Sequence, residues 1–460
     1  MISSPQGHSG KTLVSIALCD IFRRRGLEVQ PFKKGPDYID PSWLGAAADR
    51  PCRNLDLFLI PEVQLIQSFQ RAMEGADLAV VEGAMGLFDG FESPESGTTA
   101  EIARLLRLPV VLVVNATRMT GSIAAMVKGY QTFQAGVDVA GVILNRVSGS
   151  RHEQKLRAAV ERYCGIPVVG SIPRDPDLKM EERHLGLVPS RELHEADSVI
   201  GRIGRKLEGY LDPEGLLTVA KNWKSSRTAE PSRDSGTEGT ERSSHPGLKI
   251  GVIWDRVFHF YYPENIEALK AAGAELVLID SLKDRLPEID GLYIGGGFPE
   301  LFLEALETNG VLRREIKEAV ESGLPVYAEC AGLMYLCRAM EGQDRSYDMV
   351  GVLPGRVKMS ERPQGHGYVV AEVVGANPLF SRGFVLRGHE FHHSRLFPSG
   401  DLEYVYRIKR GQGIQGTSDG IVYKNLFASY VHLHALGTPE WAPAFVSLAL
   451  REKGKSRGVG

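Results

Sequence analysis

Pro5-Gln6-Gly7-His8-Ser9-Gly10-Lys11-Thr12, followed at once by the apolar run 13–21, reads as a phosphate-binding loop that opens a helix. Glycines let backbone N–H groups face phosphate oxygens, and the helix N-terminus adds positive potential. Lys11 reaches the terminal phosphates and Thr12 ligates Mg²⁺, so Gly7, Ser9, Gly10, Lys11 and Thr12 form a candidate ATP site. The strict pattern wants glycine where Pro5 stands, and the plain alternative is a glycine turn entering an ordinary helix. The strand expected before the loop is reduced to Met1-Ile2-Ser3; either it is very short or the true start lies upstream.

Two acidic clusters lie downstream of the loop. Lys34-Gly35-Pro36-Asp37-Tyr38-Ile39-Asp40-Pro41 is a polar loop with two carboxylates, whose plain alternative is turn formation. Val80-Val81-Glu82-Gly83-Ala84-Met85-Gly86-Leu87-Phe88-Asp89-Gly90 puts Glu82 at the end of an apolar strand. A carboxylate there is the expected Mg²⁺ partner of a phosphate-loop threonine. Asn145, after another strand, can read the adenine edge.

These motifs sit in a βαβ rhythm. Strands are expected at 78–82, 110–115, 139–145 and 168–171, then at 249–254, 274–279, 291–294 and 325–328. Helices are expected at 13–25 and 263–272. The rhythm predicts an α/β fold of two doubly wound, mainly parallel sheets, with ligands at the carboxyl ends of strands. Between the halves, residues 222–247 are rich in Ser, Arg, Glu, Thr, Pro and Gly and read as a flexible linker. The expected organisation is an ATP-binding domain at 1–221, the linker, a second domain at 248–451 and a frayed tail at 452–460.

The 460 residues are 43% hydrophobic, enough for two cored domains, and the net charge of −3 argues against nucleic acid as a main partner. Apolar runs are strand-sized, so no membrane span is expected. Five cysteines and no secretory signal point to a reducing cytoplasm, where a special cysteine is catalytic rather than structural.

That cysteine is Cys330. Leu324-Pro325-Val326-Tyr327-Ala328-Glu329-Cys330-Ala331-Gly332-Leu333 reads as strand, sharp turn, helix. A thiol beside a helix N-terminus is expected to have a lowered pKa. His432, in Ser429-Tyr430-Val431-His432-Leu433-His434, is the candidate base. Gly295-Gly296-Gly297 ends a strand and offers backbone donors to an oxyanion, and Ala331 is grouped with it. The plain alternative is a buried, inert Cys330. Cys19, Cys52, Cys164 and Cys337 lack such settings. Gly388-His389-Glu390-Phe391-His392-His393 is expected to order a loop or touch substrate rather than hold a metal.

With these motifs in order, the chain resembles the cobyrinic acid a,c-diamide synthase family. The resemblance also rests on Gln30 to Pro41, Arg53-Asn54-Leu55-Asp56, Glu182 to Pro189 and Phe258-His259-Phe260-Tyr261-Tyr262-Pro263-Glu264-Asn265. It implies a carbon–nitrogen ligase in which ATP converts a substrate carboxylate to an acyl phosphate. Lys11, Thr12, Asp40 and Glu82 would hold Mg-ATP, while Asp37, Tyr38, Ile39 and Asp89 would position substrate. Cys330 and His432 would release ammonia from L-glutamine. His434 stands where many glutaminases place a glutamate, so the resemblance implies a Cys–His dyad. The implied partner is a polycarboxylate tetrapyrrole, with a homodimer left open. Breadth of resemblance ranks cobyrinate first. The run Arg362-Pro363-Gln364-Gly365-His366-Gly367-Tyr368 and the Lys33-Lys34 doublet lean toward siroheme or (nickel-)sirohydrochlorin. Two other classes compete. A partitioning-type ATPase is opposed by Gln6, where such enzymes carry a further lysine. A regulatory protein with a dead glutaminase half is opposed by the intact thiol motifs.

Overall fold

A computed structural model describes residues 1–91, 96–183, 186–193, 195–221, 223 and 247–457. Most of the expected linker, the last three residues of the expected tail and part of the Glu182–Pro189 motif lie outside the described residues. The chain divides into two compact units, residues 1–235 and 236–460.

In the first unit seven strands form one all-parallel sheet: β1 (Ile2–Ser3), β2 (Val29–Lys34), β3 (Arg53–Leu55), β4 (Leu78–Glu82), β5 (Val110–Asn115), β6 (Val139–Val147) and β7 (Val168–Pro173). Their order is β3-β2-β4-β1-β5-β6-β7. Valine-rich runs such as Val110–Val114 are buried on both faces, as a parallel sheet covered by helices requires. The two-residue β1 is the central strand. The chain winds outward from it in both directions, which opens the crevice at its carboxyl end. The phosphate loop lies there and leads into the helix Lys11–Arg24, whose last turn carries Arg23 and Arg24 toward the negative end of the dipole.

The second unit carries a ten-stranded sheet: β8 (Lys249–Ile253), β9 (Glu275–Ile279), β10 (Gly291–Ile294), β11 (Val326–Glu329), β12 (Gly365–Val373), β13 (Val385–His392), β14 (Glu403–Arg410), β15 (Ser418–Tyr423), β16 (Leu426–Ser429) and β17 (His432–Leu433). The order is β9-β8-β10-β11-β16-β15-β14-β12-β13-β17. The first five are parallel. From β16 onward every pairing is antiparallel. Apolar cores cover both faces. The expected frayed tail departs from the structure: the helix Trp441–Arg457 continues through most of it. No helix of the described residues is long and apolar enough to cross a membrane.

Candidate active sites in the two units

Parallel pairing of β2 with β4 sets Lys33 opposite Glu82. Lys33 Nζ donates to Asp40 Oδ2 at 2.5 Å and to Glu82 Oε1 at 2.9 Å, and lies 3.8 Å from Asp37 Oδ2. Thr12 Oγ1 donates to Glu82 Oε1 at 2.6 Å. Thr12, Asp40 and Glu82 therefore converge as expected. Lys33 stands at their centre, placed there by pairing across the sheet rather than by any local motif. Burial opposes its charge, but Asp40, Glu82 and Asp37 outweigh burial and hold the ammonium well above the ordinary lysine range. Glu82 is fully buried, and burial raises its carboxyl above the ordinary range. Its Oε2 has no hydrogen-bond partner among the described residues. The Thr12 hydroxyl and the Asp40 and Glu82 carboxylates, one oxygen of Glu82 being the unpartnered one, are the donor types a hard, oxygen-seeking divalent cation takes.

The other first-unit residues brace this centre. Lys11 Nζ turns back to Ser4 Oγ (2.9 Å) and the Met85 carbonyl (2.7 Å). Burial, with Lys33 nearby, lowers its pKa. Asn145 Nδ2 donates to the Ser9 carbonyl at 2.8 Å and Oδ1 accepts from Arg146 N, so its amide shapes the phosphate loop rather than standing open toward an adenine. Gly10 has φ +96°, and a Cβ there would collide with that amide. Asp37 Oδ1 accepts from Ile39 N (2.8 Å) and Asp40 N (3.2 Å), so it starts the helix Ile39–Ala48. Tyr38 is half-buried and Ile39 buried at that helix start. Asp89 Oδ2 accepts from Gly86 N at 2.8 Å and closes the turn after β4.

In the second unit Cys330 leaves β11 at φ +49°, ψ −101°, the strained conformation of an elbow that presents a nucleophile. Its N–H donates to the Ser429 carbonyl at 2.8 Å, tying the elbow to β16. His432 starts β17, and its ring lies over Gly296: a Cβ there would come within 2.6 Å of Cε1 and 3.2 Å of Nε2. Ala331 thus follows Cys330 at the carboxyl end of β11, Gly296 and Gly297 follow the carboxyl end of β10, and His432 lies over Gly296.

Two expectations need correction. The Cys330 thiol is not lowered. Burial in the apolar core, then the charge of Glu300, pushes it above the ordinary thiol range. A six-residue helix cannot offset that burial. Alkylation of Cys330 by iodoacetamide in the substrate-free protein should therefore climb about tenfold per pH unit from pH 7 to 9. A plateau near pH 7 would restore the lowered-pKa reading. Gly295 is also engaged elsewhere: its N–H donates to Tyr261 Oη at 2.8 Å. Of the expected oxyanion donors, Gly296, Gly297 and Ala331 stay as candidates. Gly296→Ala should cost about 10–100-fold in glutamine hydrolysis by displacing His432, since small misplacements of reacting groups are expensive. Ammonia-driven turnover, measured alongside, should be unchanged.

His434 belongs elsewhere, with Nε2 3.6 Å from Glu264 Oε2 and its ring against Tyr262 at 4.5 Å. The histidine-rich run lies in β13, where His389 pairs with His432 and His392 stacks on Tyr430 at 3.7 Å.

Similarity to known proteins follows the same two-part division. The CobQ/CobB/MinD/ParA nucleotide binding domain family matches residues 1–188, and the CobB/CobQ-like glutamine amidotransferase domain family matches residues 249–440. A protein of Magnetococcus marinus named cobyrinate a,c-diamide synthase is 42% identical, covering 98% of this chain and 97% of its own. Proteins of the same name from Archaeoglobus fulgidus (42%, 98% of each chain) and Methanosarcina acetivorans (40%, 98% and 95%) match similarly.

Proposed function

Because the chain belongs to the cobyrinate a,c-diamide synthase family, we propose that it amidates the a and c carboxylates of cobyrinate, using glutamine as nitrogen donor and ATP as activator. The observation that carries this reading is the presence of both chemistries in one chain. A nucleotide site carries converging carboxylates, and a thiol elbow carries a histidine, over a length matched nearly end to end by relatives bearing that name. The relatives favour cobyrinate over the siroheme alternatives. The five free cysteines accord with a cytoplasmic enzyme.

A carboxylate is a poor electrophile. ATP transfers its terminal phosphoryl group to a carboxylate oxygen, ADP leaves, and an acyl phosphate results. Lys11 and the loop 7–12 bind the phosphates, and Asp37, Tyr38, Ile39 and Asp89 orient the carboxylate. Thr12, Asp40 and Glu82 would hold Mg²⁺, which neutralises phosphate charge when bound. Lys33 keeps these carboxylates gathered. In the second unit Cys330 sulfur attacks the glutamine amide carbon, and His432 takes the thiol proton and passes it to the leaving ammonia. Gly296, Gly297 and Ala331 donate to the oxyanion. Water hydrolyses the thioester to glutamate. Ammonia attacks the acyl phosphate, expelling phosphate and leaving the amide. Making ammonia on the enzyme matters because free ammonia is mostly ammonium at neutral pH.

Product mass after incubation with ATP, Mg²⁺ and glutamine tests the substrate. Each carboxylate-to-amide exchange lowers the mass by about one unit. Two exchanges on cobyrinate are expected. Two exchanges on siroheme or sirohydrochlorin alone would move the enzyme to that branch.

A further inference from the structure

The glutamate just before the nucleophile, Glu329, is the last residue of β11. Tyr327 and Glu329 alternate onto the same face of β11, while Cys330 turns into the elbow. Glu329 is 1% exposed, and its Oε2 lies 3.5 Å from His432 Nδ1. Three donors hold the carboxylate in place: Tyr293 Oη to Oε2 (2.9 Å), Tyr327 Oη to Oε1 (2.9 Å) and Leu433 N to Oε1 (3.1 Å). Two phenols and one backbone N–H thus converge on the Glu329 carboxylate. Burial, then the charge of Glu329, holds both tyrosines well above the ordinary phenol range, so they remain donors.

His432 lies between this carboxylate and the thiol site. Its Nδ1 edge faces Glu329 and its Cε1–Nε2 edge faces Gly296. His389 stacks on the ring at 4.9 Å and 19°. Burial, then His432 and His434, keeps His389 well below the ordinary histidine range, so the stacked neighbour is neutral and does not oppose charge on His432. The other histidine–carboxylate pair, His434 with Glu264, is separate.

We propose that Glu329 is the positioning carboxylate of the glutaminase centre, completing a Cys330–His432–Glu329 triad whose acid comes from the nucleophile's own strand. This rests on the glutaminase reading and replaces the expected dyad. Glu329 keeps the imidazole proton on Nδ1, leaving Nε2 to accept the Cys330 proton, and stabilises the imidazolium that results. The 3.5 Å separation is of the kind that shortens when substrate binds. No bond to Glu329 forms or breaks.

The test compares wild type, Glu329→Gln and Glu329→Asp for glutamine hydrolysis, ammonia-driven amidation and Cys330 alkylation by iodoacetamide at pH 9.5. Glutamine amide nitrogen donates where the carboxylate accepted, so Glu329→Gln favours the wrong His432 tautomer. Its glutaminase kcat should fall about 10²–10⁴-fold with a smaller change in KM. The acid limb of the pH–kcat/KM profile should move to lower pH, because a neutral neighbour stabilises imidazolium less. Ammonia-driven amidation and alkylation should persist, and Glu329→Asp should recover part of the loss. Glu329→Gln activity within about threefold of wild type with an unmoved profile would overturn the assignment. Loss of alkylation in both variants would also overturn it, making Glu329 a folding residue. Absence of wild-type glutaminase activity would instead sink the underlying reading.

Discussion

Replacing Cys330 with alanine should lower glutamine-driven amidation at least ~10⁴-fold, because no other group on the elbow can form the thioester. Ammonia-driven amidation should stay within about twofold, since the nucleotide centre in the other unit makes its own contacts. The elbow supports this division. Cys330 is held at φ +49° by a hydrogen bond to β16 and by close packing of Gly332 on the Ile294 carbonyl. Alanine accepts the same backbone contacts, so the fold should survive and only the chemistry should go. Parallel assays with glutamine and with ammonium chloride check this. Equal loss in both would show that Cys330 is structural.

Glu82→Gln should do the reverse. Thr12 and Lys33 both donate to the Glu82 carboxylate, and Asp40 joins it through Lys33. Removing its charge should cut amidation about 10²–10³-fold with either nitrogen source, the scale of losing one charge-stabilising group at a reacting centre. Glutamine hydrolysis at Cys330 should continue. The variant also leaves the Lys33 ammonium buried with less counter-charge, which costs stability. Its thermal midpoint should be read beside the activity, and lost activity in a protein that still melts cooperatively above assay temperature is the expected pair. Unchanged ATP-dependent amidation would remove Glu82 from the nucleotide centre.

Strong local chemistry was legible in the sequence. The phosphate loop, the Val110–Val114 run, Glu82 at a strand end and the strand–turn–helix at Cys330 were readable because each depends on neighbours in the chain. What was hidden depends on pairing across the sheet. Val29–Lys34 reads poorly as a buried strand because it carries Pro31, Lys33 and Lys34, and Lys33 belongs there only once Glu82 stands opposite. Glu329 looks like an ordinary strand residue until Tyr293, Leu433 and His432 arrive from other strands. The antiparallel half of the second sheet lacks the helix-alternating rhythm that marked the rest. A helix terminus alone predicts a lowered thiol pKa, whereas the apolar core around Cys330 raises it.

In the proposed reaction nitrogen travels from glutamine, through chemistry at Cys330, to a carboxylate activated by ATP. It is tested most directly by supplying glutamine labelled with heavy nitrogen at its side-chain amide, together with cobyrinate, ATP, Mg²⁺ and excess unlabelled ammonium, and weighing the product. Wild type should give a product whose new amides carry the label, and Cys330→Ala should give the same amides unlabelled. Wild-type product with no label at all, or labelled amides from Cys330→Ala, would rule this route out.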